Sequence, residues 1–264
     1  MTEIKLHPKP YLLASAAELL VHRSRLRLAM RLGGPVDETL PLETLEHRLA
    51  GPEGRAWARL VELFGLSEPE ADLLALALAV AAEPSLGPLV AQAQEAEGRL
   101  LPTEPLIKLM HGHPARPIWK PTSPLSMWRL VTPVRMAPGE PHGYEADRQL
   151  VDWMFGNLSL DAELVLALDA CPAHRAPSEW PVVETAERLD HALRQAAELR
   201  LVVEARPGAG RRSFAAAVAQ KLGREALVAD ASVIPQSDWA EAFMLAQRFA
   251  LFADAALILS LIHI

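Results

Sequence analysis

The sequence has little cysteine, few aromatic residues and no excess of positive charge. Its single cysteine, Cys171, excludes an internal disulfide framework and fits a reducing compartment. The net charge of −7 argues against a nucleic-acid binder that relies on a basic surface. No uncharged apolar run reaches the roughly 18 residues that a membrane span needs, and Met1–Pro10 is too polar for a signal peptide. We therefore expect a cytoplasmic protein that contacts neither a membrane nor nucleic acid.

Hydrophobic residues are abundant, and Ala and Leu dominate them. They make up 50% of the 264 residues, enough to bury a sizeable core in two domains of common size. Because Ala and Leu favour helix, we predict a mostly α protein with an α/β part.

Helical patterns fill the first half of the chain. Apolar residues recur at helical spacing in Tyr11–Leu32, and Ser67 with Glu70 forms a capping box that predicts a helix to about Ala82. A further helix is predicted at Thr103–His113, with Thr103 as its N-cap. A strand at Leu125–Val134 and a return at 139–144 would complete a winged-helix module. Since Thr103–His113 carries one lysine, we favour protein docking over DNA binding.

The second half reads as strand, glycine loop and helix, followed by further strands. The apolar run Leu201–Val203 predicts a buried strand, and Ser213–Leu222 predicts a helix. Two more strands are predicted at Ala226–Asp230 and Ala255–Leu259, with a helix at Asp238–Phe252 between them. This alternation predicts a parallel α/β sheet, the setting that a nucleotide phosphate loop requires.

The glycine loop departs from the phosphate-loop consensus G-x-x-x-x-G-K-[ST]. Ala205 replaces the first glycine, while Gly210 occupies the second glycine position. Arg211 stands at the lysine position, Arg212 at the Ser/Thr position, and Ser213 brings a hydroxyl one residue late. The structural alternative is an ordinary strand-to-helix turn with its arginines in solvent.

Several segments together resemble the AAA+ ATPases encoded with phage-tail-like contractile injection systems, which carry a winged helix before the ATPase module. The matching segments are Leu63-Phe64-Gly65-Leu66-Ser67 with Glu70, Asp72, Leu73 and Leu74; Pro102-Thr103; Pro124-Leu125 with Trp128-Arg129-Leu130-Val131; Leu150 through Gly156; and Gly208-Ala209-Gly210-Arg211-Arg212-Ser213. The corresponding domains are a helical segment 1–54, a winged helix 55–158, a linker 159–181 and a partial P-loop AAA+ domain 182–259.

The resemblance implies ATP and Mg²⁺ as cofactors, held by the loop Pro207, Gly208, Ala209, Gly210, Arg211, Arg212 and Ser213. The glycines and Ala209 would present backbone N–H groups to the β-phosphate, Arg211 would replace the phosphate lysine, and Ser213 is the candidate Mg²⁺ ligand. Protein partners at the winged helix and a homo-oligomeric ring are implied in the same way. The function implied is ATP hydrolysis coupled to assembly or remodelling of a contractile particle.

The end of the chain lacks the acidic pair that follows the third strand in AAA+ modules. Leu259–Ile264 resembles a translated sequencing adapter, so we assign 260–264 to a non-native tail of a truncated fragment. We expect no catalytic residue in this chain, no ATP hydrolysis by it, and strand one without its two sheet neighbours. The alternative function is a non-enzymatic winged-helix adaptor or regulator with a degenerate nucleotide fold.

Histidines do not form a recognisable metal motif in the sequence. His111, His113 and His142 lack a Cys or carboxylate pattern around them. We interpret them as loop histidines.

Overall fold

The computed structural model describes residues 10–34, 41–172, 176–195, 199–206 and 208–260. The fold is mixed α/β, and helices predominate. The described chain divides into two compact units, residues 10–159 and residues 160–260, which are treated separately below. Among these residues, no single helix combines the length and the hydropathy needed to cross a membrane.

The N-terminal unit consists of eight helices and one β-hairpin within the described residues. Their bounds are α1 Pro10–Arg31, α2 Leu42–Ala50, α3 Arg55–Phe64, α4 Glu68–Ala82, α5 Gly87–Ala93, α6 Glu104–His111, α7 Pro124–Met127, β1 Val131–Val134, β2 Gly143–Ala146 and α8 Arg148–Met154. Short 3-10 turns precede α3 and α5, at Pro52–Gly54 and Pro84–Leu86.

Helix α4 is the core of this unit. Every residue from Leu73 to Val80 is buried, because the helix has no polar stripe to face water. The predicted capping box is confirmed: the Ser67 N–H donates to Glu70 Oε2 at 2.8 Å, and the Ser67 hydroxyl donates to the same oxygen at 2.6 Å. Local sequence signals therefore fix where the central helix begins.

The hairpin that follows is shorter than the sequence predicts. Strands β1 and β2 pair antiparallel, with Val131 opposite Ala146. The predicted strand 125–134 is wrong in its first half, where Pro124 starts the short helix α7. Arg129, at φ 48°, then turns the chain into β1. The sequence did not reveal the change from helix to strand, because a short buried helix and a buried strand are equally apolar.

Glu104, in the first turn of α6, ties a loop to the rest of this unit. Its carboxylate accepts hydrogen bonds from the backbone N–H groups of Ile118 and Trp119 at 3.0 Å and from the Tyr144 hydroxyl at 3.1 Å. Lys108 Nζ donates to it at 3.0 Å. Burial raises the pKa of Glu104, but these donors outweigh burial and hold it below its ordinary value.

We expect Glu104→Gln to lower the free energy of unfolding by about 1.5 kcal/mol near neutral pH, because an amide is the weaker acceptor. Since the folded-state pKa is lowered, the contribution of Glu104 is present above the ordinary pKa of 4.5 and is lost as the pH falls below it. Urea unfolding at several pH values measures both effects. The control Glu145→Gln, at an exposed position of β2, should cost less than about 0.5 kcal/mol. If Glu104→Gln lowers the free energy of unfolding as much in acid as near neutral pH, the ionised carboxylate is not the source of this stability.

The C-terminal unit is a small sheet with helices packed on it. Its elements are β3 Leu168–Ala170, α9 Val182–Leu193, α10 Arg211–Lys221, β4 Ala226–Asp230, α11 Trp239–Phe252 and β5 Ala256–Ser260. Short 3-10 turns lie at Ala162–Leu164, Ala231–Val233 and Gln236–Asp238. The two helices and the two strands predicted after the glycine loop are confirmed to within two residues.

Strand β4 lies in the middle of this sheet. It pairs parallel with β5 and antiparallel with β3. On one face, Ala216 and Ala219 of α10 pack against Ala226. Side chains alternate across a strand, so Ala229 faces the other side, where it lines a small cavity with Ala246 of α11. The parallel pair with α11 between its strands is the βαβ arrangement that the sequence predicts.

Two assignments in this unit need correction. The predicted strand at Leu201–Val203 is not formed, and Val202 is 77% exposed. None of the described strands pairs with this segment. The segment 159–181, predicted as a linker, contains β3, which holds one edge of the sheet and buries Leu168.

Candidate functional site

The glycine loop makes a tight turn into the N-terminus of α10. Gly208 and Gly210 have φ values of 80° and 81°, in the left-handed region that favours glycine. The Ala209 N–H donates to the Arg206 carbonyl at 3.1 Å, and the Phe214 N–H donates to the Gly210 carbonyl at 2.9 Å. Gly210 is therefore the N-cap of α10, and the first N–H groups of the helix follow it directly.

This helix N-terminus lies at the carboxyl edge of the parallel strands. Asp230 and Ser260 are the last paired residues of β4 and β5. Arg212, in the first turn of α10, donates from Nε to the Ser260 hydroxyl at 3.0 Å and from Nη2 to Asp230 Oδ2 at 3.3 Å. The loop thus occupies the edge at which open α/β sheets bind their ligands. Ser260, which we assigned to a non-native tail, lies in β5 and is buried.

Asp230, at the end of β4, is a structural residue in this arrangement. Its Oδ1 accepts hydrogen bonds from the Ser232 N–H at 3.0 Å and from the Ser232 hydroxyl at 2.7 Å. These bonds, and to a smaller extent the Arg212 charge, hold the pKa of Asp230 below its ordinary value. The ion pair with Asp230 also directs Arg212 toward the strand ends.

Arg211, at the lysine position of the loop, differs from Arg212 in its contacts. Within the described ranges it makes no ion pair, and its side chain is half-buried at the start of α10. Ser213, the candidate Mg²⁺ ligand, is half-buried in the same first turn of α10. Pro207 lies outside the described residues. The structure therefore brings Gly208 through Ser213 together but gives the two arginines different surroundings.

Trp180 packs against the loop, a contact that the sequence did not suggest. A Cβ atom placed on Gly210 would lie 2.6 Å from Trp180 Cη2. The Trp180 ring also meets Phe214 edge to face, with centroids 5.9 Å apart. Behind it, Val182 of α9 packs with Val218 of α10. No local pattern could reveal the contact, because Trp180 is far from the loop in sequence.

A second polar cluster, formed by Asp72, His111 and His113, lies in the N-terminal unit. His111 Nδ1 is 2.8 Å and His113 Nε2 is 2.9 Å from Asp72 Oδ2. The two imidazole rings are stacked, with centroids 5.6 Å apart. Arg23 of α1 donates to the other oxygen, Asp72 Oδ1. All four side chains are nearly buried.

Ionised Asp72 is favoured in this cluster. Burial raises its pKa, but hydrogen bonds and charge from His111, the charge of Arg23 and the hydrogen bond from His113 outweigh burial and bring the pKa to about 2. The sequence interpretation considered His111 and His113 without a carboxylate. It missed Asp72, which is 41 residues from His113, and it included His142, which does not belong to the cluster.

Comparison of the chain with protein-family models, curated proteins and solved structures finds no match.

Proposed function

We propose that the chain binds the phosphate groups of ATP at the glycine loop 207–213, as the nucleotide site of an AAA+ module. The observation that carries the proposal is the position of the loop. A glycine-capped helix N-terminus opens at the carboxyl edge of two parallel strands, where free N–H groups and the helix dipole favour an anion.

In this proposal the residues have distinct roles. The backbone N–H groups of Gly208, Ala209 and Gly210 face the β-phosphate, that of Ala209 after it leaves the Arg206 carbonyl, and Arg211 supplies the positive charge of the usual lysine. Arg212 holds the loop against Asp230 and Ser260. Ser213 is the candidate ligand for Mg²⁺. ATP hydrolysis, where the acidic pair of an AAA+ module is present, would drive assembly or remodelling of a contractile particle, with the N-terminal unit as a winged-helix docking domain and a ring as the working form.

We expect Arg211→Ala to weaken ATP binding at least about tenfold, because a charge-assisted hydrogen bond to phosphate contributes about 1.5–3 kcal/mol. Isothermal titration with Mg-ATP measures this affinity. The matched control is Lys221→Ala, which removes a cation from the exposed, C-terminal end of the same helix. Its affinity should equal that of the wild type.

Equal loss in both variants would indicate general electrostatics, and no loss in either would contradict the proposed site. Because α10 buries alanines against β4 and neither cation lies in that contact, both variants should fold as the wild type does.

The second candidate is a non-enzymatic adaptor whose α/β part no longer binds nucleotide. It is favoured by the contacts of the loop itself: Trp180 covers Gly210, and Arg212 is already paired. Because these contacts already hold the loop in its conformation, the loop needs no bound phosphate to stay folded. Absence of Mg-ATP binding by the wild type, with an intact fold by circular dichroism, would select this alternative.

A further inference from the structure

We propose that Asp72, His111 and His113 form a binding site for a divalent transition-metal ion of the zinc type. The site belongs to the N-terminal unit and is independent of the glycine loop. Asp72 lies on α4, His111 ends α6, and His113 follows it after the left-handed Gly112. The fold thus brings one carboxylate and two imidazoles to a single point from two helices.

The donor set suits such an ion. Asp72 Oδ2, His111 Nδ1 and His113 Nε2 all lie within 4.8 Å of one another. One carboxylate and two imidazoles form a known three-ligand set for zinc, which leaves a position for water or another ligand. Carboxylate and imidazole without thiolate fit Zn²⁺ or Co²⁺ better than a soft ion.

Two of the three ligand-to-ligand distances need only a small adjustment. A tetrahedral ion with bonds of about 2.1 Å separates its ligands by about 3.4 Å. The distances from Oδ2 to the two ring nitrogens, 2.8 and 2.9 Å, must therefore open by about half an ångström. An imidazole that binds the ion carries its remaining proton on the nitrogen that faces away from the ion.

Arg23 orients the carboxylate from behind. Its Nη2 donates to Asp72 Oδ1, which leaves Oδ2 as the oxygen directed at both rings. Partners of this kind fix metal ligands in place. The Arg23 charge also offsets that of Asp72, so we expect a weaker affinity for the ion than at a site of unpaired carboxylates or thiolates.

The cluster has a route to solvent. His113 lines an open cavity of about 370 Å³, together with Ser67, Glu70, Arg116 and Lys120. An ion or its fourth ligand can enter from this side without unfolding the helices. The cavity distinguishes the cluster from a buried hydrogen-bond network with no access.

The test uses the full chain, without a histidine tag and stripped with a chelator. Zn²⁺ is titrated by calorimetry, and Co²⁺ by its visible ligand-field absorption. We expect one ion per chain and a tetrahedral or five-coordinate cobalt spectrum. Zinc in large excess over its Kd should raise the Tm by several degrees.

Two variants separate metal binding from hydrogen bonding. In His111→Asn the amide nitrogen takes the place of Nδ1, and in His113→Gln it takes the place of Nε2, so each can still donate to Asp72. Both should fold in chelator and bind zinc at least tenfold more weakly. The control His142→Gln changes an exposed histidine outside the cluster and should bind as the wild type does. No stoichiometric binding by the wild type, or unchanged binding in the two cluster variants, would overturn the proposal and leave a hydrogen-bond network.

Discussion

Asp72→Asn should lower the free energy of unfolding of the N-terminal unit by about 3 kcal/mol when measured in chelator near neutral pH. The substitution preserves shape and removes charge. It leaves the Arg23 guanidinium, whose side chain is 11% exposed, without its close carboxylate. Breaking one partner of a buried ion pair costs about 3–5 kcal/mol. We expect a cost near the lower end of this range, because Glu46 Oε1 lies 3.6 Å from Arg23 Nε and remains as a partner for the guanidinium.

The chain offers a matched control between the same two parts of the fold. Arg25 of α1 also pairs with Glu83, which caps the end of α4, but these side chains are 46% and 37% exposed. Glu83→Gln should therefore cost less than about 1 kcal/mol. Urea unfolding gives both values, and hydrogen exchange in α4 assigns the transition to this unit. Similar costs for the two variants would show that Asp72 behaves as a surface charge.

The pH dependence of the same variant has a defined sign. The pKa of Asp72 is about 2 in the folded chain, below its ordinary value of 3.8. Its stabilisation is therefore complete above about pH 4 and is lost as the pH falls through about 2. Asp72→Asn lacks this part of the acid dependence. In an Arg23→Met background, Asp72→Asn should lower the free energy of unfolding by less than in the wild type, because no unpaired guanidinium remains.

Local signals in the sequence predicted the helices and the strands of the βαβ part. Ser67 with Glu70 set the start of α4, and the apolar run from Leu73 onward identified it as central. Such signals can be read from the sequence because they lie within one helical turn of the residues whose structure they determine. Pro124 gave a comparable signal, but the apolar residues after it favoured a strand, and α7 was missed.

Long-range contacts explain what the sequence could not provide. The strand predicted at Leu201–Val203 depends on neighbours, and none of the described strands pairs with it. The cluster of Asp72 with two histidines and the cover of Gly210 by Trp180 both join residues far apart in the chain. Residue types near the glycine loop predicted a phosphate site, but the different surroundings of Arg211 and Arg212 required the fold.

Gly210→Ala should destabilise the C-terminal unit by about 3 kcal/mol. An alanine at φ 81° costs about 1 kcal/mol, because the left-handed region crowds its Cβ. The new Cβ would also lie 2.6 Å from Trp180 Cη2 and 2.9 Å from Cζ2, so the ring must move, and overpacking costs typically 1–3 kcal/mol. Thermal or urea unfolding measures the sum.

Gly208 provides the control that separates the two causes. Its φ is 80°, and no described atom lies within 4 Å of the position of a Cβ. Gly208→Ala should therefore cost only the backbone strain, about 1 kcal/mol. In a Trp180→Ala background, the cost of Gly210→Ala should fall to the same value, which makes the coupling between the two sites about 2 kcal/mol. Equal costs for both glycines in the wild-type background would contradict the packing of Trp180 on the loop. With that contact established, the packing of Trp180 on Gly210 and the bonds of Arg212 to Asp230 and Ser260 together hold the loop at the carboxyl edge of β4 and β5, whether or not a phosphate binds there.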